Sequence, residues 1–518
     1  MQPHSSFVRA LMTDMYQVTM SYAYWKAGRH EETAVFEAFF RKNPFKGEYT
    51  IFAGLDEVLR YVSSFSFSES DIAYLKMALP KNTEPAFFDW LANIDCSQIK
   101  LAAIKEGTVV FPRLPLIRVE GPLGVAQLLE TMILNLTNFP SLLCTNAMRM
   151  RQAAGEDKKL LEFGLRRAQG PDGALSASRY AFIGGFDGTS NCLAGKLFDV
   201  TASGTHAHAF VNSFTSPEDL KDTSLDGKEF WKPVLAKREE LGFTNSNLSE
   251  LVAFVAYAQA FPSSFLALVD TYDTLVSGVP NFIAVGLVLR DFGYEPIGIR
   301  LDSGDLSYLS KTARVLFFEH SLPKVTIVAS NDINEDVLYS LDKQGHEIDA
   351  FGIGTNLVTC QAQPALGMVY KLVEINGRPC IKLSNEFEKT TIPGKKQIYR
   401  LIGQDGTALC DILERENESV PKAGERVLCV HPFHDRIRCY VVPSEVQPLL
   451  SVVFDGKICT KLPSAVETRT YVKEQIRLLR EDHIRALNPA NYRVSVTNEL
   501  YQFANKLWGK EAPIREFH

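Results

Sequence analysis

Between residues 265 and 356 apolar and polar positions come in alternating blocks. Phe265-Leu266-Ala267-Leu268-Val269 has the pattern of a short buried strand and stops at Asp270-Thr271-Tyr272-Asp273. Residues 281–289 predict a helix, and 296–301 a second strand ending at Asp302-Ser303-Gly304-Asp305. Leu306, Leu309, Ala313, Leu316 and Phe317 then fall on one helical face. A third strand, 325–329, closes at Ser330-Asn331-Asp332. Asp332 and Glu335 have the spacing of a capping box for a helix through Leu341, with Gly345 at the position of a C′ glycine. A fourth strand, 348–351, runs into Gly352-Ile353-Gly354-Thr355-Asn356.

The four strand ends at Asp270, Asp302, Asn331 and Gly354 are separated by 32, 29 and 23 residues, the spacing of repeating strand–helix units. Parallel strands with helical crossovers follow, so the fold class is α/β. An irregular TIM-like α/β barrel competes with an open doubly wound sheet. The chain has neither GxGxxG nor GxxxxGK[ST], which favours the barrel. Outside this core, residues 1–140 mix helices (71–79, 123–136) with strands (33–40, 101–104, 108–111, 116–119). Residues 360–460 read as short strands, with Asn376-Gly377 as a hairpin turn, and 465–510 as helical. The expected organisation is an N-terminal α+β domain (1–145), the barrel (146–358) and a C-terminal segment (359–518) that packs on both.

At 518 residues the chain exceeds one ordinary core. A net charge of −6 argues against a nucleic-acid binder, while local cationic clusters leave anionic small molecules open. The nine cysteines are scattered without a CxxC pair, which disfavours a zinc site or disulfide framework and fits a reducing, cytosolic setting. No signal-peptide pattern is visible at the N-terminus, and apolar runs such as 282–289 fall short of a bilayer, so no membrane partner is expected.

Candidate chemistry sits at the strand ends. Gly352-Ile353-Gly354-Thr355 offers backbone N–H groups and a hydroxyl, either a phosphate nest or a plain tight turn; Asn331 can add an amide donor. Arg300 is either the partner of Asp302 or Asp305 or a fork for a planar carboxylate. Arg166-Arg167 after Phe163-Gly164 poses the same choice between surface charge and ligand contact. Asp270, Asp302 and Asp305 can hold Mg²⁺ or ribose hydroxyls, or cap the helices that follow. Arg41-Lys42 and Lys395-Lys396 are either solvated charge or neutralisers of a diphosphate. Ala202-Ser203-Gly204-Thr205-His206-Ala207-His208 presents two imidazoles just before a segment, 209–214, that reads as helical. A neutral imidazole nitrogen there can accept a phosphoryl group, whereas no third ligand has metal-site spacing.

These residues, with Thr13-Asp14-Met15-Tyr16-Gln17, Phe40-Arg41-Lys42-Asn43-Pro44-Phe45 and the stretches 162–169 and 184–195, give the chain a strong resemblance to the animal-type nicotinate phosphoribosyltransferase family. The resemblance implies a type II phosphoribosyltransferase fold: an irregular α/β barrel with an α+β domain built from N- and C-terminal segments. It implies a homodimer with active sites at the interface. The implied reaction is ATP-assisted formation of nicotinate mononucleotide and diphosphate from nicotinate and 5-phosphoribosyl 1-diphosphate, in NAD salvage, with Mg²⁺ or Mn²⁺ as cofactor. Motif by motif, His208 is similar to the histidine phosphorylated by ATP. Tyr16, from the neighbouring subunit, would stack on the pyridine ring; Thr205 and Arg300 would contact nicotinate, and Arg166 would clamp its ring. Asp270 and Asp302 would face ribose or Mg²⁺, Asp302 as a catalytic group, with Asn331, Gly352, Gly354 and Thr355 around the phosphoribosyl phosphate. The nicotinamide-using sibling carries an aspartate where Ser190 stands here, and an aspartate would repel the acid. A nicotinamide-using enzyme and a non-catalytic signalling or scaffold relative are the alternatives, and a barrel glycosidase would leave the arginines unexplained. The role of His206 stays open.

Overall fold

The protein is described here by a computed structural model covering residues 2–384, 389–513 and 516. It divides into two units, Met1–Thr145 with Ala362–His518, and Asn146–Gln361.

The second unit is an α/β fold around a six-stranded, all-parallel sheet. Its order is Leu266–Leu268, Gly298–Leu301, Thr326–Ala329, Ala350–Ile353, Lys159–Glu162 and Gly188–Thr189. The first four are the strands expected from the block pattern, each followed by a polar turn; the last two come from an earlier part of the chain. Burial explains why the blocks are continuous: Ala267, Ile299, Leu301, Ile327, Ala329 and Ile353 are all fully enclosed. Beyond Gly188–Thr189 the sheet is carried on by an extended segment rather than a strand. Thr189 forms a parallel bridge to Ala202, and the Ser203 N–H donates to the Thr189 carbonyl at 2.8 Å. Four residues on, His206 Nε2 accepts the Leu268 N–H at 3.2 Å, on the opposite edge of the sheet. The barrel thus closes through backbone on one side and a single imidazole on the other.

The helix start expected at Asp332 moves. Asn334 is the N-cap of Glu335–Gln344, accepting from the Val337 N–H, and Asp332 instead adopts a left-handed φ of 43° in the turn. Asn331 therefore precedes the helix rather than opening it. Asp305 does cap its helix, accepting from the Tyr308 N–H at 3.0 Å. The apolar run near 282–289 is longer than expected, because a π-turn, Thr274–Gly278, continues into Val279–Asp291. The resulting 18 residues are long and apolar enough to cross a membrane, but two thirds of the segment is buried, as in a core helix.

The first unit contains two six-stranded sheets. In one, Thr33–Phe39 pairs with both Ile117–Pro122 and Val369–Ile375, and Lys100–Ile104 with Leu450–Asp455. Asn376 (φ 47°) and Gly377 (φ 72°) form the expected tight hairpin to Arg378–Pro379. The predicted 123–136 helix is two helices, Leu123–Leu128 and Glu130–Ala154, and the C-terminal helical region is interrupted by the strand Val494–Val496.

Candidate active site

The polar turns after the parallel strands gather most of the residues singled out in the sequence. His208 is the first residue of the short helix His208–Asn212 and remains partly exposed. Its Nδ1 lies 3.0 Å from Thr271 Oγ1, which orients the ring. Nε2 points between two carboxylates, 3.9 Å from Asp270 Oδ1 and 3.9 Å from Asp302 Oδ2. At that separation neither is hydrogen-bonded to it, so the nitrogen is available to an electrophile.

Each aspartate is held from its far side. Ser303 Oγ donates to Asp270 Oδ2 at 2.5 Å, and Ser330 Oγ donates to Asp302 Oδ1 at 2.6 Å. Asp270 is buried, and its Oδ1 has no hydrogen-bond partner among the described residues. A buried carboxylate oxygen without a donor is costly unless a cation or proton-bearing ligand joins it. Asp270 and Asp302 offer hard oxygen donors on either side of His208 Nε2, the donor type a divalent cation such as Mg²⁺ takes. A different grouping, His4 with Asp56 and Glu57 in the other unit, also brings ligand atoms together, but there His4 pairs with Glu57 and Arg60 with Asp56.

The cationic side comes from Arg300 and Arg166. Burial pulls the Arg300 pKa down; Asp302 and Asp270 oppose this, and the charge of nearby Arg166 adds to it. Arg300 Nη1 donates to Thr205 Oγ1 at 2.9 Å, while its Nε is buried without a partner. An arginine with idle donors stays charged and can grip a planar carboxylate. Arg166 is exposed on the 3₁₀ turn Leu165–Arg167 and makes no ion pair among the described residues. Ser190 lies just past Gly188–Thr189, its N–H donating to the Glu162 carbonyl at 2.9 Å.

Around Gly352 the glycine has a packing reason. Gly352 is inside its strand, and a Cβ there would overlap the Phe163 ring. Gly354 leads into the four-residue helix Thr355–Val358, which leaves Thr355 exposed. Tyr16 belongs to the first unit, half-exposed on the first turn of Met15–Lys26. Lys395 and Lys396 are not available to a diphosphate. Lys395 pairs with Glu120 and Glu416 at 2.8 and 2.9 Å, and Lys396 is buried against Glu37 at 2.8 Å. Arg41 instead neighbours Lys371, a half-buried lysine whose pKa is lowered first by burial and further by the charges of Arg41 and Lys382.

His206 points away from this chemistry. It is buried against Phe210, Phe254 and Tyr257, and desolvation takes its pKa down to about 4. It is a neutral acceptor for the sheet edge. Sequence reasoning also missed Thr271, Ser303 and Ser330, which lie inside the quoted motifs but whose pairings need the fold. A further omission, Glu250, is buried with its pKa raised to about 7 by desolvation, although Ser277 and Asn281 donate to it.

The fold and site define an α/β protein with a partly exposed imidazole between two carboxylates and two guanidiniums near the strand C-terminal ends. Profiles of the N-terminal domain, the family core and the C-terminal domain of nicotinate phosphoribosyltransferase match residues 11–138, 281–418 and 395–504. The nicotinate phosphoribosyltransferase of Dictyostelium discoideum is 52% identical, over 99% of this chain and 91% of its own. The Homo sapiens protein of that name is 43% identical, over 98% of each. The crystal structure of the human enzyme superposes with a TM-score of 0.87 at 41% identity, covering 96% of this chain and 99% of that one. The chain belongs to the nicotinate phosphoribosyltransferase family.

Proposed function

We propose that this protein is an ATP-assisted nicotinate phosphoribosyltransferase acting in NAD salvage. The observation that carries the reading is His208, with Nε2 unbonded between Asp270 and Asp302 and Nδ1 anchored to Thr271. Nε2 attacks the γ-phosphorus of ATP; the N–P bond forms as the bond to the bridging β–γ oxygen breaks, and ADP leaves. In the tautomer that carries its proton on Nδ1, Thr271 Oγ1 accepts that N–H and Nε2 is left as the nucleophile.

Arg300 and Arg166 take the carboxylate and ring of nicotinate, with Thr205 and Ser190 beside them. Because Ser190 is neutral, the site tolerates an acid where an aspartate would repel it. The pyridine nitrogen then displaces diphosphate from C1 of the sugar, and catalysis consists of alignment and charge stabilisation. Gly354, Thr355 and Asn331 flank the phosphoribosyl phosphate. Asp270 and Asp302 would hold Mg²⁺ or Mn²⁺, which would neutralise charge on the diphosphate. The working form is a cytosolic homodimer in which Tyr16 of one subunit covers the nicotinate of the other.

Incubation with γ-radiolabelled ATP tests this directly. Label is expected on the wild-type protein, absent from His208→Ala, with nicotinate mononucleotide formed from nicotinate in preference to nicotinamide. Equal labelling of wild type and His208→Ala would overturn the phosphohistidine, and failure to form the mononucleotide would overturn the activity.

A further inference from the structure

Glu162 ends the strand Lys159–Glu162 and is fully enclosed, yet among the described residues no cation is one of its hydrogen-bond partners. Three donors satisfy it instead. One oxygen accepts the N–H of Gly164 in a short hydrogen bond. The other accepts the hydroxyls of Thr189 at 2.5 Å and Ser178 at 2.8 Å. Its backbone carbonyl accepts the N–H of Ser190 at 2.9 Å. Asn191 closes the network, its backbone N–H donating to Thr189 Oγ1 at 3.0 Å and its side-chain amide to Ser178 Oγ at 3.1 Å.

The partners are not scattered. Gly164 opens the turn that carries Arg166, Thr189 immediately precedes Ser190, and Ser178 belongs to the helix Gly170–Ile183 that follows the double arginine. A buried carboxylate held only by hydrogen bonds requires each donor to stay where it is, since losing one leaves charge uncompensated in a low dielectric. Packing alone would be served as well by an apolar residue.

We propose that Glu162 is a positioning residue for the pyridine-carboxylate subsite, tying the Arg166 turn and the Ser190 strand end to one buried carboxylate so that the two face a common ligand. This rests on the functional reading above and extends it to a residue that touches no substrate. The effect should fall mainly on nicotinate, because the Glu162 side chain bonds toward the Arg166 turn and the Ser190 strand end, whereas the neighbouring Gly352–Thr355 loop meets this strand through backbone pairing and the Phe163 ring.

Glu162→Gln is the informative variant. Its amide oxygen can still accept from the Gly164 N–H, while its NH₂ forces the two hydroxyls, donors until then, to turn around. Thr189→Val and Ser178→Ala each remove one donor with little change of volume. Measurements are kcat and KM for both substrates, calorimetric binding of nicotinate, and the melting temperature. In Glu162→Gln we expect nicotinate affinity and KM to worsen about tenfold, the scale of a small misalignment. KM for phosphoribosyl diphosphate should change much less than KM for nicotinate, since none of the Glu162 side-chain hydrogen bonds runs to the Gly352–Thr355 loop. Thr189→Val should shift the same way by less, and adding it to Glu162→Gln should cost little more, as expected for members of one network. Unchanged nicotinate binding in folded Glu162→Gln, or parallel rises in both KM values, would overturn the proposal. If Glu162→Gln does not fold, the two hydroxyl variants carry the same readout. A wild-type protein that neither binds nor consumes nicotinate would instead sink the functional reading itself.

Discussion

Arg300 and His206 show how burial assigns opposite work to two basic side chains about one strand apart. Arg300 keeps its charge despite desolvation because Asp302 and Asp270 offset part of the cost, and it has an idle Nε. Removing it should cost about 1.5–3 kcal/mol of ligand binding, the scale of a charge-assisted hydrogen bond. Arg300→Ala should therefore raise KM for nicotinate about ten- to a hundredfold, and Arg300→Lys should recover only part of this because the fork is lost. Steady-state kinetics with a melting curve as control decide it. His206 loses its charge instead. Its folded pKa of about 4 lies below the usual value of 6.5, so the unfolded chain binds the proton first as pH falls. Stability from this residue is complete above pH 6.5 and is lost between there and about pH 4. The full effect is on the order of 3 kcal/mol. His206→Gln retains an acceptor for the Leu268 N–H and should flatten the acid limb of a stability–pH profile measured by urea unfolding.

At the scale of elements, the parallel strands were legible because both faces are buried and the apolar blocks are unbroken, as in 265–269 and 325–329. The closure of the sheet was not legible, since 201–206 lacks any strand pattern and closes through one bridge and one imidazole. The capping box at Asp332 failed because Asn334, two residues on, offers the same chemistry. Lys395-Lys396 looked like solvated charge or a diphosphate site because their acidic partners lie far away in sequence. The glycines of the sheet also carry information hidden from the chain. A Cβ on Gly298 would overlap the Thr326 carbonyl oxygen, and backbone between paired strands cannot withdraw. Gly298→Ala should lose about 1–3 kcal/mol, the range for overpacking, read as a shift of urea midpoint without a change of slope. The π-turn Thr274–Gly278 has its own signature through Glu250. With a folded pKa of about 7 and an ordinary value of 4.5, Glu250 keeps its proton in the folded state while the unfolded chain releases it. Stability therefore falls as pH rises from 4.5 to about 7 and is flat above. Glu250→Gln, which cannot ionise, should be more stable than wild type at pH 8 and no more stable at pH 4, by up to about 3 kcal/mol. Thermal unfolding at the two pH values would check this.

At the scale of the molecule, an acidic chain has to admit polyanionic substrates. The net charge is −6, so the mean field opposes phosphoribosyl diphosphate, while the local field of Arg166 and Arg300 favours it. These two scales respond differently to salt. Screening at physiological ionic strength extends over about 8 Å, which damps the distant negative surface more than contacts inside the site. If the far field dominated, added salt would relieve repulsion and raise kcat/KM for phosphoribosyl diphosphate. If the cationic mouth dominates, salt lowers it. Arg166 decides between these, because it is exposed and unpaired among the described residues, where a guanidinium acts on approach rather than through a buried contact. We expect kcat/KM to fall as ionic strength rises in the wild type and to become nearly salt-independent in Arg166→Ala. The buried Arg300 leads to a different expectation, since its replacement should lower the value at every ionic strength and leave the slope intact. A wild-type rate that climbs with salt would place control with the overall charge instead of with the two guanidiniums at the strand ends.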